Sequence, residues 1–365
     1  MASHPYRDRD AMHRCVEAIA RRVSQPWTLM EVCGGQTHAI LRHSLDRLLA
    51  PAGIALIHGP GCPVCVTPTA RIDQAIALAR TPGVILCSFG DMLRVPGSGA
   101  DLSTARARGA RVQVVYSPLD AVRLAQRQPH DQVVFFAVGF ETTAPATALA
   151  VLQAQALGLA NFSLLVAHVR VPPAVAALLA TPNHRIQALL AAGHVCAVMG
   201  LDEYAPLVRR FRLPVVATGF EPVDILQGVL CAVDQLEGGQ ARLENAYARA
   251  VTDGGKGDAQ RLLETVFEPA TRPWRGLGEI PNGALSLRPA WQAFDAEARF
   301  PFDQIPESSH PDCQAAAVLT GRLTPTECPA FGRRCHPEHP LGAPMVSAEG
   351  ACAAYFHYRA PMEEG

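Results

Sequence analysis

Residues 53–80 read GIALIHGPGCPVCVTPTARIDQAIALAR. A short apolar run ends at Gly59-Pro60-Gly61, a C-x-x-C pair follows at Cys62 and Cys65, and 71–80 is a helical stretch. Strand, glycine turn and helix in that order make half of a βαβ unit. The same texture recurs outward. GVILCSFGD (83–91) and VQVVYSP (112–118) read as strands, and LDAVRLAQRQ (119–128) as a helix. The pattern restarts after Pro129. VVFFAVGFETT (133–143), NFSLLVAHVRVPP (161–173) and HVCAVMG (194–200) read as strands, and APATALAVLQAQALG (144–158) as a helix. LPVVATGFEPVDIL (213–226) reads as a strand running into a turn and helix. The expected fold is α/β, with two similar parallel-sheet lobes around a cleft. Gly-Phe-Glu follows a strand twice, at 139–141 and 219–221, a weak echo rather than a repeat.

The 365 residues exceed what one core usually holds. In RDAMHRCVEAIARRV (9–23), Met12, Val16, Ile19, Ala20 and Val23 recur at helical spacing. Residues 232–266 look helical, with a break at GGKGD (254–258), and 271–310 look irregular. The tail carries four cysteines and is too short to bury much core unaided, so it is expected to need a staple. The expected partition is an N-terminal helix over 1–25, able to pack on the C-terminal module, and a first lobe over 26–125, completed by about 215–235. A second lobe over 126–230 and a mainly helical or irregular iron–sulfur module over 231–365 complete it.

Charge and hydropathy narrow the function. The formal net charge is -1 and no dense Lys/Arg block occurs, which disfavours nucleic acid and acidic membranes as partners. MASHPYRDRDAMHRC has no apolar core of a secretory signal, and no run is long enough to span a bilayer. A cytoplasmic protein is expected. There, eleven cysteines point to ligands or catalytic thiols rather than disulfides.

Cys313, Cys328, Cys335 and Cys352 leave fourteen, six and sixteen residues between neighbours. Zinc modules pair their ligands at short gaps, and no such pair exists here. Iron–sulfur ligands, zinc ligands and unliganded core thiols stay open on spacing alone, with the long gaps favouring a cluster. In EVCGGQTHAI (31–40), Cys33 falls at a strand-to-helix turn, where backbone N–H groups can lower a thiol pKa. His38 lies about one turn further and is expected at the same pocket. Cys62 and Cys65 suit a thioredoxin-like dithiol. Asp91, Glu141, Thr142 and Thr143 end strands at ligand-facing edges, although helix capping explains them too. His194 is a site candidate or a satisfied rim histidine. Cys15, Cys87, Cys196 and Cys231 lie in apolar patterns and read as core thiols. Neither G-x-G-x-x-G nor the P-loop motif is present.

Taken together, CGGQTH (33–38), GPGCPVCVTP (59–68), FGDMLRVPGS (89–98), GFETTAP (139–145), GHV (193–195) and ECPAFGRRCHPEHPLGAPMVSAEGACAAYF (327–356) resemble the HypD family of hydrogenase maturation proteins. The likeness runs in order through nearly the whole chain. It implies a [4Fe-4S] cluster on Cys313, Cys328, Cys335 and Cys352, and transient binding of the Fe(CN)2CO iron of [NiFe]-hydrogenases by Cys33. That thiolate would be shared with a HypC-type chaperone. HypE, with HypF upstream, would deliver cyanide, and the hydrogenase large subunit would be an indirect partner. The cluster would pass electrons through the Cys62/Cys65 dithiol, with His38 lining the cleft. One departure is Ala315, where the family often has a second cysteine two residues after the first cluster ligand. A stand-alone iron–sulfur disulfide oxidoreductase and a zinc-stapled binding module are the alternatives.

Overall fold

Continuous apolar runs become strands covered on both faces. The computed structural model describes residues 5–302 and 309–359. Its strands are β1 (Trp27–Glu31), β2 (Ile54–His58), β3 (Val84–Ser88), β4 (Val112–Val114), β5 (Gln132–Gly139) and β6 (Phe162–His168), followed by β7 (Ala188–Ala192), β8 (Val215–Thr218), β9 (Leu243–Asn245), β10 (Phe267–Trp274) and β11 (Gly278–Leu287). Every residue of β3, β6, β7 and β8 is buried, as expected of parallel strands flanked by helices.

Two parallel sheets result, ordered β2-β1-β7-β8-β9 and β4-β3-β5-β6. Counted along the chain within each sheet, both begin 2-1-3-4. The two lobes are thus similar in topology, as the sequence led us to expect. The chain opens the first sheet, leaves it after β2 to build the whole second sheet, and returns at β7. A division between 125 and 126 therefore does not separate the sheets, because β3 pairs with both β4 and β5. The Gly-Phe-Glu echo follows non-equivalent strands, third in one sheet and fourth in the other.

Several local readings change, and the stretch 232–266, read as helical, holds strand β9 between two helices. HVCAVMG lies in a helix, Gly193–Met199, and the strand is the preceding Ala188–Ala192. Ala-Leu-Leu-Ala-Ala has helical propensity, but burial on both faces overrides it. The supposedly irregular region contains the antiparallel hairpin β10–β11, bulged between Ala270 and Arg272; part of that region, 303–308, lies outside the described residues. The opening helix Arg9–Arg22 packs on helix Pro222–Glu237. Arg22–Asp234 and Trp27 Nε1–Glu237 (2.6 Å) fasten that contact. No described helix is long and apolar enough to cross a membrane.

The turns after β1 and β2 interlock. Gly34 N–H donates to Gly61 O at 2.8 Å, and Gly59 N–H donates to Glu31 O at 2.7 Å. A Cβ on Gly61 would overlap the backbone nitrogen of Cys33, whereas one on Gly99 would meet nothing within 4 Å. Gly61→Ala is therefore expected to destabilise the fold by about 2 kcal/mol or more. Thermal unfolding of both variants checks this: G61A should melt several degrees low and G99A should match the parent.

Candidate functional site

In each sheet the first strand has the second on one side and the third on the other. Ligands bind open α/β sheets at the carboxyl ends of strands flanking such a reversal. In the first sheet these strands are β1 and β7, and the residues beyond them include Cys33 and His194. In the second they are β3 and β5, followed by Asp91 and Glu141.

Cys33 occupies the N-cap of helix Gly34–Arg42 and is buried. Its Sγ lies 3.5 Å from His194 Nδ1. The Phe220 ring packs against His194, their centroids 5.3 Å apart. Contrary to the expectation from its place at a helix start, the thiol is pushed up, well above the ordinary range. Burial is the main cause and the Glu31 charge adds to it; the N–H groups of Gln36 and Gly35 oppose the shift without cancelling it. His194 is pushed down to about 4 by burial, so its imidazole is neutral near pH 7. Gln36, also buried, anchors the helix through Nε2 to the carbonyls of Ala191 (3.2 Å) and Thr218 (3.1 Å), at the ends of β7 and β8.

The C-x-x-C pair lies in the adjoining turn. Cys62 caps the short helix Pro63–Val66, and Cys65 N–H donates to Cys62 Sγ at 3.4 Å. All eleven cysteines are free thiols. Burial, followed by the Cys62 side chain, raises the Cys65 thiol, and the charges of Cys352 and Glu349 act in the same direction. The dithiol therefore lies within electrostatic reach of the C-terminal cysteines, and helix 63–66 packs on the turn Ala343–Met345.

Cys313, Cys328, Cys335 and Cys352 line one mostly apolar pocket with Val318, Phe331 and Met345. Burial raises Cys352 most, and the charges of Cys313, Cys335 and Cys328 follow. Leu341 N–H donates to Cys335 Sγ at 3.4 Å. A Cβ on Gly342 would overlap the Cys313 sulfur.

The other candidates scatter. His38 does not turn to Cys33: its Nε2 lies 2.9 Å from Tyr358 Oη on the C-terminal helix Ala351–Arg359. Helical geometry explains this, since five positions past Cys33 the side chain points to the next packed element. Asp91 is exposed and accepts from Ser347 Oγ at 3.4 Å. Thr142 is half-buried in the turn after β5. Glu141 is buried; Oε1 accepts Val171 N–H at 2.9 Å, Oε2 has no partner, and burial pushes the group up to about 7.

Sequence reasoning missed Glu31, His58 and Tyr355. Glu31, wholly buried, accepts from Cys33 N–H (2.7 Å) and from the Thr37 hydroxyl, and meets His58 Nδ1 (2.7 Å). His58 Nε2 lies 3.3 Å from Tyr355 Oη. A signal was present: both apolar strands end in an ionisable residue immediately before a cysteine-bearing glycine turn.

Glu141 sets a pH dependence. Its folded pKa, about 7 against an ordinary 4.5, means that the folded chain keeps a proton that the unfolded chain releases. Stability is fully present below the ordinary value and falls as pH rises toward 7. Glu141→Gln should match the parent near pH 4 and exceed its stability at pH 8 by up to about 3 kcal/mol, read from unfolding at both pH values.

Comparison with known proteins shows the family. The family described as HypD, "Hydrogenase formation hypA family", matches residues 10–359. The hydrogenase maturation factor HypD of Azotobacter vinelandii is 51% identical over 91% of this chain and 89% of its own length. That of Rhodobacter capsulatus is 47% identical over 94% and 93%. That of Escherichia coli strain K12 is 44% identical over 98% of each. Spanning nearly the whole of these relatives and matched along its length, the chain belongs to the HypD family.

Proposed function

We propose that this protein is a redox-active scaffold on which the Fe(CN)2CO group of [NiFe]-hydrogenases is assembled, in complex with a HypC-type chaperone. The names of its relatives, hydrogenase maturation factors, support the process. The interlocked cysteine turns carry the chemistry: the Gly34–Gly61 hydrogen bond makes Cys33 and the C-x-x-C pair parts of one loop assembly.

The iron under assembly is the substrate. Soft, electron-rich donors suit iron that takes cyanide and carbonyl ligands, and Cys33 supplies a thiolate. A thiol held protonated by burial binds a cation by exchanging its proton. Neutral His194, with Nδ1 3.5 Å from Sγ, is placed to accept that proton. Closing Cys62 and Cys65 to a disulfide releases two electrons and two protons. At 3% and 0% exposure, these thiols suit bound cargo better than protein disulfides, which weighs against a stand-alone oxidoreductase.

A [4Fe-4S] cluster fits the C-terminal cysteines. Their thiols surround a space, and among the described residues no three His, Cys, Asp or Glu groups converge on a point as for one ion. The N–H groups of Leu341 and Gly342 face Cys335, and that of Ala315 faces Cys313, donors that favour thiolates. Such a cluster supplies one-electron chemistry. Asp91, Glu141 and Thr142 serve the second sheet's end of the junction, and His38 serves docking of the C-terminal helix. HypE, charged by HypF, is the cyanide source in this reading, the large subunit is the eventual recipient, and the cytoplasm is the compartment.

Two experiments test the proposal. Cys33→Ala should abolish hydrogenase maturation in cells while the purified protein keeps its iron–sulfur absorption; normal maturation would remove Cys33 from the iron site. Anaerobically purified parent protein should be brown, with about four irons per chain, and Cys352→Ser should lose that colour. A colourless parent with one zinc per chain would overturn the cluster.

A further inference from the structure

Cys33 stands at a cap position but makes no capping bond through its side chain. The task passes to Glu31, which takes both the Cys33 N–H and the hydroxyl of Thr37, one turn into the helix. A wholly buried carboxylate is costly unless several donors meet it, and His58 Nδ1 supplies the third. With the carboxylate accepting, a neutral His58 carries its proton on Nδ1 and leaves Nε2 as the acceptor. Tyr355 is a phenol near pH 7, pushed up to about 12 by burial, and its O–H donates to Nε2 at 3.3 Å. One tautomer thus satisfies every member of the network, and both ring residues are buried.

The far end of this network decides its meaning. Tyr355 belongs to the helix that carries Cys352. The near end is the backbone of Cys33. A buried network therefore runs from the backbone of Cys33 to the helix that carries Cys352, through His58 at the end of the strand that leads into the dithiol turn. We infer that Glu31, His58 and Tyr355 are positioning residues that fix the Cys33 turn against the Cys352 helix, so that docking of that helix completes the iron-holding turn. Groups that support a ligand in this way are worth roughly ten- to a hundredfold in metal affinity.

The inference rests on Cys33 as iron ligand and Cys352 as cluster ligand, so its test needs a readout free of both. Tyr355→Phe keeps the ring and deletes one hydrogen bond. Tyr358–His38 (2.9 Å) and Arg359–Asp46 (2.6 Å) continue to hold the helix. In anaerobic full-length protein, the rate of Cys33 alkylation by iodoacetamide, resolved by mass spectrometry, should rise about tenfold in Y355F and in Glu31→Gln, with visible absorption unchanged. Ferrous iron, added alone, should bind about tenfold more weakly to both variants. Cys352→Ser should speed Cys33 alkylation in the parent and add nothing in Y355F, the non-additivity of a shared path. Unchanged alkylation in Y355F, or effects of Y355F and C352S that simply add, would overturn the inference. Should Cys33→Ala bind ferrous iron as the parent does, the iron-site reading fails, while the alkylation results still judge the network.

Discussion

The rest of the site depends on one backbone contact. Gly61 lies so close to Cys33 that no side chain fits between them, and the Gly34–Gly61 hydrogen bond closes the gap from the other side. Parallel pairing of β1 and β2, with Glu31 opposite His58, brings both turns to the same sheet edge. Glycine at 34, 59 and 61 then lets the turns merge. Because Cys33 opens one turn and Cys62 closes the other, the Cys33 thiol and the C-x-x-C pair become neighbours without any further device. The C-terminal module completes the arrangement by pressing Glu349 against Gly34, where a Cβ would overlap it.

Burial sets the chemical state of this assembly. Cys33, Cys65 and Cys352 are all held as thiols by desolvation, and His194 is held neutral by the same cause. Helix-start N–H groups act on Cys33 but lose to burial and to the Glu31 charge. A pocket in that state is inert toward solvent and becomes reactive when a cation displaces protons. Deep burial is thus compatible with a thiol meant for metal, whereas a thiol meant for a protein disulfide needs access.

The shared 2-1-3-4 order gives each sheet one reversal point, yet the two points have diverged. One holds Cys33 and His194. The other is followed by an exposed carboxylate, Asp91, and a buried one, Glu141. A single apolar cluster containing Cys33, Phe140, Val169 and Trp274 joins the lobes, so the hairpin β10–β11 contributes to the same junction.

Much was legible in the sequence by itself. Short apolar runs ending at glycine established the α/β class, since burial on both faces demands such runs. The order of cysteine motifs carried the family, while the cysteine gaps alone left cluster, zinc and unliganded thiols open. Other features awaited the tertiary structure. Which strand lies beside which is a matter of non-local pairing: the sequence led us to expect the chain to complete the first lobe near 215–235, whereas the return begins earlier, at β7 (Ala188–Ala192). The Ala-rich strand β7 was hidden because its local propensity is helical and only packing makes it a strand. His38 turned away from Cys33, and Glu31, His58 and Tyr355 came together, for the same reason. Spacing along a chain specifies which face of an element a side chain takes, but the partner on that face is decided by the fold.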